Sequence, residues 1–189
     1  MTDIGLIHWV LACLIFAVSI NLVLTFRLFD MMRTMHVPGV NAVPLTLPVG
    51  ELAPDFSGTT LVGKTPVSSV NKPTVLVFLS SKCKECHSKL AELSRIQAAL
   101  NSAQVVMWLV ASEHPNKLKA FLTDTGLLNL VVAMDSEVRK SLNPRSASPF
   151  YLFLDENRVL QASGIIGDDD WLSFISQMDG ILSEAEPAL

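Results

Sequence analysis

Five apolar residues in a row, Val75-Leu76-Val77-Phe78-Leu79, run through Ser80-Ser81-Lys82 into Cys83-Lys84-Glu85-Cys86. The run follows Pro73, is rich in β-branched side chains and does not alternate with polar residues. It therefore predicts a strand buried on both faces. Beyond the cysteines, Leu90, Leu93, Ile96, Ala99 and Leu100 recur at helical spacing and predict an amphipathic helix over Glu85–Leu100. A strand with no solvent face needs cover on both sides, which limits the chain to a layered α/β arrangement with a cysteine pair where strand gives way to helix.

The remaining pattern agrees. Val105–Val110, Leu130–Met134, Tyr151–Leu154 and Val159–Ile165 read as further strands, the last two antiparallel about the turn Asp155-Glu156-Asn157. Lys117–Thr125, ended by Gly126, and Ser136–Leu142 read as short helices, and Asp168–Leu182 as a closing helix. The order is β-α-β-α-β, then a hairpin and a helix, which predicts an α/β sandwich with a mixed sheet. Residues 49–189, roughly 140 in number, suit one domain with one core.

A different chemistry occupies the first thirty residues. Of the 189 residues only 17% are charged, and mean hydropathy is +0.42. The excess lies between Ile4 and Phe26, where no charge occurs over 23 residues. At ~1.5 Å per residue that length spans ~35 Å, against ~30 Å for a bilayer core. Residues 1–30 are expected to be a retained membrane anchor. No basic n-region precedes the stretch and no Ala-x-Ala site follows it, which argues against a cleaved signal peptide. Trp9 and Phe26 stand near its ends, as interfacial aromatics do. Cys13 reads as a small apolar residue of that helix. Residues 31–48 contain Pro38, Gly39, Pro44 and Pro48 and read as an extended spacer. Arg27 and Arg33 follow the span and favour a cytoplasmic domain by the positive-inside rule. The net charge of −4 excludes a broad basic surface for nucleic acid.

At the strand-to-helix junction, Cys83 is expected at the helix start, where unpaired N–H groups and the helix dipole favour a thiolate. Lys82 and Lys84 add positive charge there and Glu85 partly opposes it. The two-residue spacing brings Cys86 within disulfide reach one turn further in, so Cys83 would be the nucleophile and Cys86 the resolving thiol. Other chemistries use the same atoms. With His87 the sequence becomes the Cys-x-x-Cys-His pattern of c-type haem attachment. A metal carrier could use Cys83, Cys86 and His87 with His114. A peroxidase reading sets Ser80 three residues before Cys83, although Leu76 occupies the place where a proline usually opens that motif. Two inert core cysteines are the plainest alternative.

Gly50-Glu51-Leu52-Ala53-Pro54-Asp55-Phe56 resembles the G-x-x-A-P-x-F entry of the TlpA-like and peroxiredoxin-like (AhpC/TSA) branch of thioredoxin-like proteins. The chain is most similar to the methylamine-utilisation, or MauD-type, family. That similarity runs through the anchor, the basic stretch after it, Val49–Phe56, Phe78-Leu79-Ser80, Leu109-Val110-Ala111-Ser112 and Ala162-Ser163-Gly164-Ile165. The resemblance implies a thioredoxin-like fold preceded by one transmembrane helix. It also implies a thiol–disulfide oxidoreductase outside the cytoplasm that acts on protein disulfides or thiols; no cofactor or metal is expected. Disulfide formation in methylamine dehydrogenase is the associated role. Cys83 and Cys86 would be the redox pair. Pro149, after Ser148 and before the fourth strand, would be the cis-proline beside which substrate backbone pairs. Two departures stand out: Lys84 replaces the proline usual after the first cysteine, and Lys82 the tryptophan often found before it. No acidic residue lies in Val75–Leu79, so that strand carries no buried proton relay.

Overall fold

The computed structural model describes residues 8–9, 14–15, 17–25, 27, 45–68 and 72–185. The chain divides into two compact units, Met1–Ala42 and Val43–Leu189. In the first, the described residues are helical and exposed. The hydroxyls of Ser19 and Thr25 donate to carbonyls four residues back, Ile15 and Asn21, both at 2.8 Å. Among the described residues no helix is long and apolar enough to cross a membrane. Cys13, Arg33 and most of the spacer lie outside them.

The second unit is built on seven strands: β1 (Ser57–Thr60), β2 (Pro66–Ser68), β3 (Thr74–Phe78), β4 (Val106–Val110), β5 (Val131–Met134), β6 (Phe150–Leu154) and β7 (Leu160–Ile165). They lie in the order β2-β1-β5-β4-β3-β6-β7. β3, β4 and β5 are parallel, while β1, β2, β6 and β7 pair antiparallel to their neighbours. The helices are α1 (Lys84–Ser102), α2 (Pro115–Phe121), α3 (Ser136–Leu142) and α4 (Asp169–Ala185). The expected α/β arrangement with a mixed sheet is present.

Every residue of β3 is buried, and its side chains alternate between two apolar layers. Val75 and Val77 join Cys86, Leu90, Leu93, Ile96 and Trp171 in one layer. Leu76 and Phe78 join Leu142, Phe150 and Leu152 in the other. Burying a Leu- or Phe-sized side chain contributes roughly 1.5–3 kcal/mol, so this central strand organises both halves of the core.

Three features differ from the sequence reading. First, β1 and β2 form an antiparallel pair that hydrophobic periodicity does not mark. Their turn is fixed by Thr60, whose hydroxyl donates to the Val62 carbonyl at 2.6 Å and accepts the Thr65 N–H at 3.0 Å. Gly58 lets β1 approach β5, since a Cβ there would collide with the Ala133 carbonyl. Second, α2 starts and ends earlier than Lys117–Thr125. Pro115 occupies the first turn, and Asp124 and Gly126 take left-handed φ values of 63° and 72° that end the helical path. A single 3₁₀ turn, Leu127–Leu130, then leads into β5. Third, Leu45–Pro48, read as the end of the spacer, already contacts the domain: Thr46 is buried and its hydroxyl donates to the Leu142 carbonyl at 2.6 Å.

Candidate active site

Cys83 is the N-cap of α1, with extended backbone (φ −87°, ψ 113°). A cap residue faces N–H groups that lack helical carbonyl partners. Here the Sγ of Cys83 accepts the backbone N–H of Cys86 at 3.2 Å, so sulfur takes the place of the usual capping oxygen. The turn before it is closed by the Cys83 N–H, which donates to the Ser80 carbonyl at 3.1 Å. Cys83 is half-buried and Cys86 has no exposed surface; both are free thiols. Burial, together with the neighbouring Cys83, pushes the Cys86 thiol up to about 12. One cysteine is thus accessible at the helix start, and the other is held protonated one turn deeper.

Ser148 and Pro149 meet this pair from the other side. The Ser148–Pro149 peptide is cis, and the Cys83 Sγ–H donates to the Ser148 carbonyl at 3.3 Å. The β3–β6 pairing explains the meeting: Phe78 stands opposite Phe150, so the loop before β6 arrives beside the loop after β3. Cys83, Cys86, Ser148 and Pro149 are therefore brought together, although 62 residues separate Cys86 from Ser148.

The charged neighbours behave differently. Lys82, Lys84 and Glu85 are exposed, and no hydrogen bond or ion pair to either cysteine involves their side chains. They flank the sulfur in sequence without touching it. His87 is also exposed, yet it is engaged: its Nε2 lies 3.0 Å from the Ser81 carbonyl, and its ring stands edge-on to Phe121 at 4.7 Å. Those contacts turn one ring nitrogen to the protein backbone, which weakens the haem and metal readings. Among the described residues no three His, Cys, Asp or Glu side chains gather where a metal ion could be held.

Glu113 belongs to the site and was not anticipated. Its Oε1 accepts the Ser80 hydroxyl at 2.6 Å and the Ser81 N–H at 2.8 Å. The Ser80 Oγ in turn accepts the Lys82 N–H at 3.2 Å. Burial raises the Glu113 pKa, but these hydrogen bonds and those from the local backbone outweigh it and hold the carboxyl below its usual range. Its Oε2 is buried without a partner. β3 contains no acid, and a carboxylate reaches the Ser80–Cys83 turn from the loop after β4. The sequence signal for it is positional: parallel register pairs Phe78 with Val110, so residues three further along each strand, Ser81 and Glu113, come level.

A dithiol at a helix start, facing a cis-proline loop at the carboxyl end of a parallel core, defines the thioredoxin-like class. Within that class the chain belongs to the AhpC/TSA family, which matches residues 49–168. Its solved structural neighbours include the thioredoxin domain of a thiol-disulfide oxidoreductase from Bacteroides vulgatus, with a TM-score of 0.58, 17% identity, and coverage of 70% of this chain and 99% of that one. A thiol:disulfide interchange protein from Chlorobium tepidum TLS superposes with a TM-score of 0.56 at 21% identity, covering 76% and 99%. A thiol:disulfide interchange protein from Bacteroides sp. gives 0.57 at 18% identity, covering 71% and 92%. At such identities the likeness establishes the fold. Among curated proteins none matches the chain.

Proposed function

We propose that this protein is a membrane-anchored thiol–disulfide oxidoreductase acting on the disulfides or thiols of other proteins. The observation that carries the reading is the pairing of a half-exposed cap cysteine with a buried, protonated one, next to the Ser148–Pro149 loop. In the reducing direction the Cys83 thiolate attacks one sulfur of a substrate disulfide. The substrate S–S bond breaks, a Cys83–substrate disulfide forms, and the departing thiolate takes a proton. Cys86 then loses its proton and attacks the Cys83 sulfur, releasing the second substrate thiol. The substrate gains two electrons and two protons, and the enzyme keeps a Cys83–Cys86 disulfide. The oxidising direction is the same sequence reversed.

Anchoring rests on the uncharged Ile4–Phe26 stretch and on its described residues. Leu14, Ile15, Val18, Leu22, Val23 and Leu24 are all more than half exposed, and the Ser19 and Thr25 hydroxyls are satisfied within the helix, as a lipid environment requires. We place the domain outside the cytoplasm. Long domains translocate largely regardless of flanking charge, and a disulfide exchanger suits a compartment without a reducing thiol pool. The MauD-type resemblance makes maturation of a methylamine dehydrogenase-like or other redox enzyme the favoured role.

The test is a redox titration of the full chain in detergent, with alkylation and mass analysis of Cys83 and Cys86. A two-electron couple confined to this pair is expected. A midpoint of about −270 mV marks a reductant and one of about −120 mV an oxidant. Failure to form a Cys83–Cys86 disulfide at any potential overturns the reading. Protease added to spheroplasts should digest the region after Pro38; its survival, with the anchor inserted, overturns the outside placement.

A further inference from the structure

Beside the redox turn lies a polar cleft of about 280 Å³, walled by the ends of β3 and β4, the last turn of α3 and the loop leading to Pro149. Two of its lining residues, Ser80 and Ser148, supply the carbonyls that hold the N–H and the sulfur of Cys83. The cleft therefore opens within a residue of the reacting sulfur. Among the described residues, the charged ones that line it are Arg139 and Lys140. Lys140 is two-thirds exposed and lies 3.9 Å from Glu137, a loose surface pair. Arg139 is half-buried, and among the described residues its side chain has no carboxylate or hydrogen-bonding partner. Glu113, the nearby acid, already accepts from Ser80 and Ser81 and does not line the cleft. A guanidinium with no protein partner that lines a cleft presents a planar fork of donors, and a bidentate carboxylate is the group that best matches it.

We infer that this cleft binds a carboxylate of the substrate, carried close to the sulfur that exchanges with Cys83, and that Arg139 sets that preference. The inference rests on the oxidoreductase reading and deepens it: the favoured substrate is acidic beside its cysteine. The carboxylate can belong to a polypeptide side chain or to a small thiol compound, and the test separates the two.

The full chain, reduced and in detergent, is reacted with two pairs of disulfides. One pair is small: 3,3′-dithiodipropionate against neutral bis(2-hydroxyethyl) disulfide. The other is a peptide disulfide with Glu beside the cysteine against the same peptide with Gln. For each pair the ratio of rates, acidic over neutral, is measured and compared with that for a free model thiol in the same buffer. A relative preference of roughly three- to tenfold for the acidic member is expected, and it should shrink as salt is raised. Arg139→Gln should bring the acidic-over-neutral ratio down to that of the free thiol, and Arg139→Lys should retain part of the preference. Preference in the peptide pair alone identifies a polypeptide carboxylate; preference in the small pair identifies the carboxylate itself as sufficient. Equal relative rates in both pairs for the unmutated protein overturn the inference, whether or not the variants fold. A preference that survives in folded R139Q overturns the role of Arg139. Failure to exchange with any disulfide overturns the oxidoreductase reading as well, and so is distinguishable.

Discussion

Glu113 accepts the Ser80 hydroxyl at 2.6 Å across two loops that follow neighbouring parallel strands. Through Ser80 and Ser81 its carboxylate fixes the turn from which Cys83 projects. Charge-assisted hydrogen bonds of this kind contribute roughly 1.5–3 kcal/mol. Glu113→Gln keeps an accepting oxygen but loses the charge and places an amide where Oε2 is buried. It should cost about 1–2 kcal/mol in denaturant melts at pH 7. Because the folded pKa lies below the ordinary 4.5, the stabilisation is present above that value and fades as pH falls through the folded pKa. The gap between wild type and E113Q should therefore close in acid. A gap that stays constant from pH 7 to pH 3 would show that the charge plays no part.

The two cysteines should differ in reactivity. Cys83 is half-buried, whereas Cys86 is fully buried and held protonated up to about 12. A brief iodoacetamide pulse at neutral pH, followed by peptide mapping, should label Cys83 first; preferential labelling of Cys86 refutes the assignment of roles. The same burial has a thermodynamic sign. A folded pKa raised above the ordinary 9.0 stabilises the protein fully below pH 9 and less as pH climbs toward 12. The stability advantage of the wild type over Cys86→Ala should narrow across that window.

Lys84 is exposed beside Cys83, so its influence is a screened field rather than a contact. Lys84→Glu should lower the rate with anionic iodoacetate, relative to neutral iodoacetamide, by roughly two- to fivefold at low salt. Added salt should erase the difference. An unchanged ratio in K84E would falsify any electrostatic role for this side chain.

Behind the site, the Tyr151 hydroxyl donates to Asp168 at 2.8 Å, and the same Oδ1 accepts the Trp171 N–H at 2.9 Å at the start of α4. Gly164 faces that carboxylate closely enough that a Cβ would collide with it. Gly164→Ala should therefore displace Asp168 and cost about 1–3 kcal/mol, the penalty of leaving a buried polar group unpaired. Thermal melts followed by circular dichroism test this, and a wild-type melting temperature would show that Asp168 swings aside freely.

The junction of β3 with α1 was legible because its signals are local: an unbroken β-branched run, then a helical repeat, with the cysteines between. The β6–β7 hairpin was legible for the same reason, its strands being joined by a turn-forming Asp-Glu-Asn. β1 and β2 were not. Ser57–Thr60 and Pro66–Ser68 are short and half polar, and they become strands through pairing with each other and with β5, a context that propensity does not carry. Glu113 was hidden in another way. Thirty-two residues separate it from Ser81, and only the parallel register of β3 and β4 makes them neighbours. The arrangement of Ser148 and Pro149 beside Cys83 was reached through family resemblance, since no periodicity links the two loops.

Cys86 is counted among the side chains of the main apolar layer, alongside Leu90 and Trp171. The proposed redox pair is thus also a packing element, and making or breaking a Cys83–Cys86 disulfide would change what the layer is built from. The thermal midpoint of the whole domain should consequently report its electron count, so that a simple melting curve distinguishes loaded from spent protein without any chemical label.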